Sequence, residues 1–187
     1  MDYFVINGQR PLKGEVNING AKNAAVAVIS AAVLANDICV IDNLPNIEDI
    51  TSLIDAMNAI GVKCSYINNH CLKIDSRNIY NHTAVNDSVR KIRASYYLIG
   101  ALLGRYGKAE VAMPGGCNFG NRPIDQHIKG FKALGADVAL ENGIVKAYAE
   151  ELLGANIYLD VVSVGATINI MLAASMANGV TVIENAA

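Results

Sequence analysis

Apolar residues recur along the chain in three similarly ordered stretches. The first opens with a run of small apolar residues, Ala24 to Ala35, which predicts a helix without a polar face. A strand-length run, Ile38 to Ile41, and a turn at Asn43-Leu44-Pro45 follow. From Ile47 to Ile60 the period changes: Ile50, Leu53, Ile54, Met57 and Ile60 recur at the spacing of an amphipathic helix. Gly61 stands where a left-handed residue ends such a helix. Lys63 to Ile67 and Cys71 to Ile74 then read as a hairpin around Asn68-Asn69.

The second stretch begins about 72 residues later, a period too long for the common short repeats. Its apolar helix is Ala94 to Leu103 and its strand Ala109 to Ala112. A glycine-rich loop leads into a second helix, Ile124 to Leu134, ended by Gly135. The hairpin is Asp137 to Leu140 with Ile144 to Ala147. A third stretch runs from a strand, Asn156 to Asp160, through a helix, Ala166 to Ala177, to a strand, Val180 to Ile183. It lacks a second helix and hairpin, which reads as a truncated third copy. The predicted architecture is an α/β (α+β) fold with an inner bundle of apolar helices, sheathed by small sheets and amphipathic outer helices.

With 52% apolar and 17% charged residues, the composition is that of a chain with a core rather than a disordered one. A net charge of -2 offers no basic field for nucleic acid. Apolar runs of about twelve residues are too short to span a bilayer, and no signal peptide is visible, so a cytoplasmic location is expected. Cys39, Cys64 and Cys71 lie in or beside strand-like runs and read as inert core thiols. No CxxC pair or histidine cluster suggests zinc.

The densest chemistry lies in Pro114-Gly115-Gly116-Cys117-Asn118-Phe119-Gly120-Asn121-Arg122-Pro123-Ile124-Asp125-Gln126-His127. Its glycines permit close backbone approach, Cys117 offers an acid or nucleophile, and Arg122 a planar fork for phosphate or carboxylate. Polar groups also precede each apolar helix: Lys22-Asn23, Arg90-Lys91-Ile92-Arg93, and Ser163-Val164-Gly165. Helix N-termini attract anions. If the copies are related by pseudo-threefold symmetry, Lys22, Arg93 and Arg122 bracket a phosphate-sized site. Bland readings stand beside these: Ser163 as a cap alone, Asp125 as an acid favoured by the helix dipole, His127 as an exposed helix position.

Gly20-Ala21-Lys22-Asn23-Ala24-Ala25, Arg93-Ala94-Ser95, the Cys117 loop through Asp125, Ser163-Val164-Gly165-Ala166-Thr167 and Glu184-Asn185-Ala186-Ala187 together resemble the UDP-N-acetylglucosamine 1-carboxyvinyltransferases. The resemblance runs the whole chain. It implies an inside-out α/β barrel of βαβαββ repeats with inner helices, truncated here in the third repeat. Residues 1–19 would be strands of a second domain that is mostly missing, and residues 20–187 the cysteine-loop domain. Strands bearing Tyr3, Phe4, Val5 and Ile6 would then have an unpaired edge open to self-association.

The implied reaction moves the enolpyruvyl group of phosphoenolpyruvate to the 3′-hydroxyl of UDP-N-acetylglucosamine, the first committed step of peptidoglycan synthesis. By resemblance Cys117 is the general acid and the residue fosfomycin alkylates. Lys22, Asn23, Arg93 and Arg122 would hold phosphoenolpyruvate. Asn23, Arg93, Arg122, Pro123, Ile124, Asp125, Gln126, Val161, Val162, Ser163 and Val164 would hold the sugar nucleotide. No metal or other cofactor is implied. Valines stand where such proteins commonly carry a lysine near Val161, which predicts a weaker hold on the nucleotide. A missing half would take with it an aspartate and further arginines, so this chain alone is expected not to turn over. The alternative is a catalytically inactive ligand-binding or scaffold fragment. RNA 3′-phosphate cyclase shares such repeats, but the cysteine loop and the lack of a basic face argue against it.

Overall fold

A computed structural model describes residues 3–9, 11–113 and 124–187. The first repeat comprises α1 (Lys22–Ala31), β1 (Ile38–Ile41), α2 (Glu48–Ala59), β2 (Lys63–Asn68) and β3 (Cys71–Asp75). Its sheet is antiparallel in the order β1-β3-β2. The apolar stripe predicted for α2 is buried: Ile50, Leu53, Ile54 and Met57 all face the core, with Ile60 just beyond. Gly61 and Gly135 follow the two outer helices with φ of 105° and 94°, values a side chain would resist.

The second repeat is β4 (Thr83–Ala84), α3 (Asp87–Lys91), α4 (Tyr97–Tyr106), β5 (Lys108–Ala112), α5 (Asp125–Ala133), β6 (Asp137–Glu141) and β7 (Ile144–Tyr148). Its sheet has the order β4-β5-β7-β6, with β4 parallel to β5. The two-residue β4 makes this copy a full βαβαββ unit. The third repeat is β8 (Asn156–Tyr158), α6 (Val164–Ala174) and β9 (Val182–Glu184), whose strands pair in parallel around α6 as β4 and β5 do around α4.

α4 is the innermost helix. Leu98 through Leu103 are all buried, and it packs against both α1 and α6. Its contact with α6 is close because Gly100 and Gly104 face it: a Cβ on Gly100 would lie 2.2 Å from the Asn169 carbonyl oxygen. Arg105 at the end of α4 ties the first two repeats together. Its Nη1 donates to the carbonyls of Val33 and Ser76, both at 2.7 Å, and its Nη2 donates to Asn36 Oδ1.

Several expectations are corrected. The helix predicted from Ala94 starts as a 3₁₀ turn, Arg93–Tyr96, and becomes α only at Tyr97. α1 likewise tightens into a 3₁₀ turn, Ala32–Ala35, closed by left-handed Asn36. The third helix stops at Ala174, short of Ala177, and the strand after it begins at Val182 rather than Val180. α1 and α6 are not apolar-buried all round, since Val28, Val164 and Met171 are exposed. The strands expected in residues 1–19 do not form in the described part of that segment. Tyr3, Phe4, Val5 and Ile6 are exposed and belong to no strand.

Candidate functional site

The N-termini of α5 and α6 are drawn together by one buried side chain. Gln126, in the first turn of α5, accepts from the backbone N–H of Asp160 through Oε1 at 2.9 Å. Its Nε2 donates to Asp160 Oδ2 at 3.2 Å and to Asp125 Oδ2 at 2.9 Å. Lys129 completes the tie with an ion pair to Asp160 at 2.6 Å. Lys129, and after it Gln126, hold the Asp160 carboxyl below the usual carboxylate range. The segment leading into α6 is thereby fixed against α5. Ser163 caps α6, its Oγ accepting from the Ala166 N–H at 3.2 Å, which satisfies one donor of that helix end. Val161, Val162 and Val164 are exposed beside it, while Ile124 is buried under the start of α5.

His127 does not take the exposed helix position expected of it. It is buried, at 8% exposure, and packs by its ring edge against Gly165 in the first turn of α6. Its ring is 5.8 Å from that of Tyr96, and its Nδ1 lies 3.0 Å from Asn169 Nδ2. Burial, and then the charge of Arg93, push its pKa down to about 4, against a smaller opposing effect of Asp125. The sequence held a signal for this: Gly130, Phe131 and Leu134 follow His127 at helical spacing, so the residue lies on the inward stripe of α5.

Arg93 opens the 3₁₀ turn ahead of α4, and its charge acts on both His127 and Tyr96, so it belongs to this cluster. Lys22 and Asn23 stand at the start of α1, a separate helix end, both exposed. There the Lys22 ammonium pairs with Asp49 Oδ2 at 2.5 Å, in the first turn of α2. α2 also packs against the turn that carries Arg93. The structure therefore joins Ile124, Asp125, Gln126, Ser163 and Arg93 in one region, and ties Lys22 to a neighbouring helix. Cys117, Arg122 and Pro123 lie outside the described residues. The other three thiols are free: Cys71 is buried, Cys39 and Cys64 half-buried, and burial pushes Cys64 up to about 12. Among the described residues no group of three or more His, Cys, Asp or Glu is placed to hold a metal ion.

The chain is 57% identical over 188 aligned residues to UDP-N-acetylglucosamine 1-carboxyvinyltransferase 2 of Clostridium acetobutylicum, covering 100% of this chain and 45% of the relative. It is 55% identical to UDP-N-acetylglucosamine 1-carboxyvinyltransferase of Clostridium botulinum, with the same coverage. The chain thus spans about 45% of the length of these curated relatives. Among solved structures, the enolpyruvyl transferase NikO from Streptomyces tendae superposes with a TM-score of 0.77 at 24% identity, covering 92% of this chain and 41% of that one. EPSP synthase from Acinetobacter baumannii superposes with a TM-score of 0.71 at 19% identity, covering 91% and 40%. Both likenesses bear on the fold. Residues 6–187 match the sequence model of EPSP synthase (3-phosphoshikimate 1-carboxyvinyltransferase), and the chain belongs to that family.

Proposed function

We propose that this chain carries the cysteine-loop side of an enolpyruvyl transfer site whose acceptor is UDP-N-acetylglucosamine. The observation that carries the reading is the Gln126 bracket. It joins two segments, one at the start of α5 and one ahead of α6, that lie far apart in sequence and that the resemblance assigns to the same sugar nucleotide. The names of the relatives supply the acceptor.

On this reading the sugar 3′-hydroxyl gives its proton to a base and its oxygen bonds to C2 of phosphoenolpyruvate, while the Cys117 thiol delivers a proton to C3 as the double bond opens. A tetrahedral ketal results. Transfer of a C3 proton to a base and cleavage of the bond between C2 and the phosphate oxygen then release inorganic phosphate and restore the double bond. Cations lower the cost of the charge on departing phosphate, which is the part assigned to Lys22, Arg93 and Arg122. A thiol suits the acid role because neighbouring cations can bring its pKa toward neutrality. Asn23, Pro123 to Gln126 and Val161 to Val164 would contact the sugar nucleotide. The work takes place in the cytoplasm, as free thiols fit a reducing compartment. Among the described residues no helix is long and apolar enough to cross a membrane.

Titration calorimetry with UDP-N-acetylglucosamine, together with mass spectrometry of fosfomycin-treated protein, tests the reading. Saturable binding and alkylation confined to Cys117 are expected. Absence of both refutes it. Phosphate release in the presence of both substrates separates turnover from binding alone. The exposed segment from Tyr3 to Ile6 belongs, on the same reading, with a second domain. Self-association through it would show as concentration-dependent sedimentation.

A further inference from the structure

His70, in the exposed turn of the β2–β3 hairpin, engages both backbone groups of Leu44, a residue buried in the turn between β1 and α2. Its carbonyl accepts from the Leu44 N–H at 2.8 Å, and its ring Nδ1 lies 2.8 Å from the Leu44 carbonyl oxygen. A carbonyl can only accept, so Nδ1 must carry a proton and donate it. The hairpin turn is itself held by Asn68, whose Oδ1 accepts from the His70 N–H at 2.8 Å. In the second repeat the backbone makes a similar tie: Met113, just past β5, donates to the Gly143 carbonyl in the β6–β7 turn at 2.8 Å. The first repeat adds a side chain to that pattern.

The turn that His70 holds reaches the surroundings of Lys22 from two directions. Asn43 is left-handed, at φ 57°, and its N–H donates to Asp42 Oδ1 at 2.8 Å. In that conformation its carbonyl presses on Gly20, where a Cβ would overlap the oxygen. Gly20 lies two residues ahead of Lys22, the first residue of α1. In the other direction the turn runs through Pro45 into α2, whose first turn carries Asp49, the ion-pair partner of Lys22. Pro45 has no N–H and so brings no backbone donor to the turn. The backbone behind Lys22 and the carboxylate beside its ammonium both depend on where Leu44 is held.

We propose that His70 is a positioning residue for Lys22: by donating Nδ1–H to the Leu44 carbonyl it fixes the Asn43-Leu44-Pro45 turn, and through that turn the placement of the ammonium that receives phosphoenolpyruvate. This rests on the role given to Lys22 under Proposed function.

Three variants of the 187-residue chain test the role: His70→Ala removes the donor, His70→Asn keeps an amide nitrogen on Cγ where the ring carries Nδ1, and His70→Gln sets that nitrogen one carbon further out. Acetylation of lysines by acetic anhydride, followed by mass spectrometry, reads Lys22 without any ligand. His70→Ala and His70→Gln should speed acetylation of Lys22 about threefold or more and leave Lys129 as in the wild type, while His70→Asn restores the slower rate. A Lys22 rate that ignores His70, or a rise shared equally by Lys129, overturns the positioning role. Calorimetry with phosphoenolpyruvate reads the consequence. His70→Ala should weaken binding about threefold or more, and His70→Asn should stay within about twofold of the wild type. Binding that survives His70→Ala unchanged overturns this inference alone. Failure of the wild type to bind overturns the role of Lys22 under Proposed function and this inference with it.

Discussion

Gln126 and Asp160 hold each other in both directions: the Gln126 amide oxygen accepts from the Asp160 backbone, and its nitrogen donates to the Asp160 carboxylate. The two residues lie on either side of the β6–β7 hairpin in sequence. Their bond sets the spacing between the two helix ends on which the candidate site is built. A glutamine is needed, since only an amide offers an acceptor and two donors from one planar group.

Gln126→Glu should therefore do more harm than Gln126→Ala. Alanine removes the bracket, at a stability loss of about 1–2 kcal/mol. Glutamate keeps the shape but turns a donor into an acceptor facing Asp125 Oδ2 and Asp160 Oδ2, placing three carboxyls together. Urea denaturation should rank wild type above Ala above Glu, and raised salt should narrow the gap between the two variants. The opposite ranking would show that the bracket is not what fixes this junction.

Two glycines at helix contacts should respond differently to alanine. A Cβ on Gly100 would meet the Asn169 backbone oxygen at 2.2 Å, so α4 and α6 would have to part. A Cβ on Gly130 would meet Ile170 Cδ1 at 2.2 Å and Cγ1 at 2.3 Å, atoms of a side chain rather than of the backbone. Overpacking costs about 1–3 kcal/mol, and alanine regains about 1 kcal/mol of helix propensity. Gly100→Ala should lower Tm by up to about 8 °C and Gly130→Ala by less than half as much as Gly100→Ala does. Equal losses would mean that the α4–α6 contact can relax.

Elements with many patterned positions were legible in the sequence. The inward stripe of α2 and the hairpins β2–β3 and β6–β7 sit where their periods place them. Thr83–Ala84 and the five-residue α3 were not legible, because two and five residues carry no usable period. The β strand matters most, as it completes the βαβαββ unit through a parallel pairing with β5, 27 residues away in the chain. The apolar run predicts α6 as far as Ala177, yet the helix ends at Ala174 and the chain turns at Asn178-Gly179 to reach β9, with Gly179 at φ 102°. The site was legible as residue types but not as partnerships. Nothing local in sequence links Asn169 to His127, 42 positions apart, or Lys22 to Asp49.

Lys22 sits at the first position of α1, where the helix dipole disfavours a cation, and the Asp49 carboxylate offsets that. Both side chains are substantially exposed, so Asp49→Asn should change stability by less than about 1 kcal/mol. Its larger effect is on anions. Removing the carboxylate releases Lys22 from its partner and removes a repulsive charge, so inorganic phosphate should bind several-fold more tightly by calorimetry. Weaker phosphate binding in Asp49→Asn would instead make Asp49 a residue that orients Lys22.

His127 should leave its mark on stability as a function of pH. Its pKa falls from 6.5 to about 4 on folding, so between those values the unfolded chain binds a proton that the folded chain does not. Stability is then full above the upper value and is lost as pH drops through the window, by roughly 3 kcal/mol in total. Asp75 acts in another range. Arg77 holds its carboxyl at about 2, so its contribution disappears only as pH falls from 3.8 toward 2. The lowered carboxyls of Asp160 and Glu141 likewise start from ordinary values of 3.8 and 4.5. The slope between about pH 5 and pH 6.5 therefore belongs to His127. Urea midpoints collected across that range should fall with acid in the wild type and flatten in His127→Gln. A wild-type curve without slope there would mean that the ring is not buried as a neutral base.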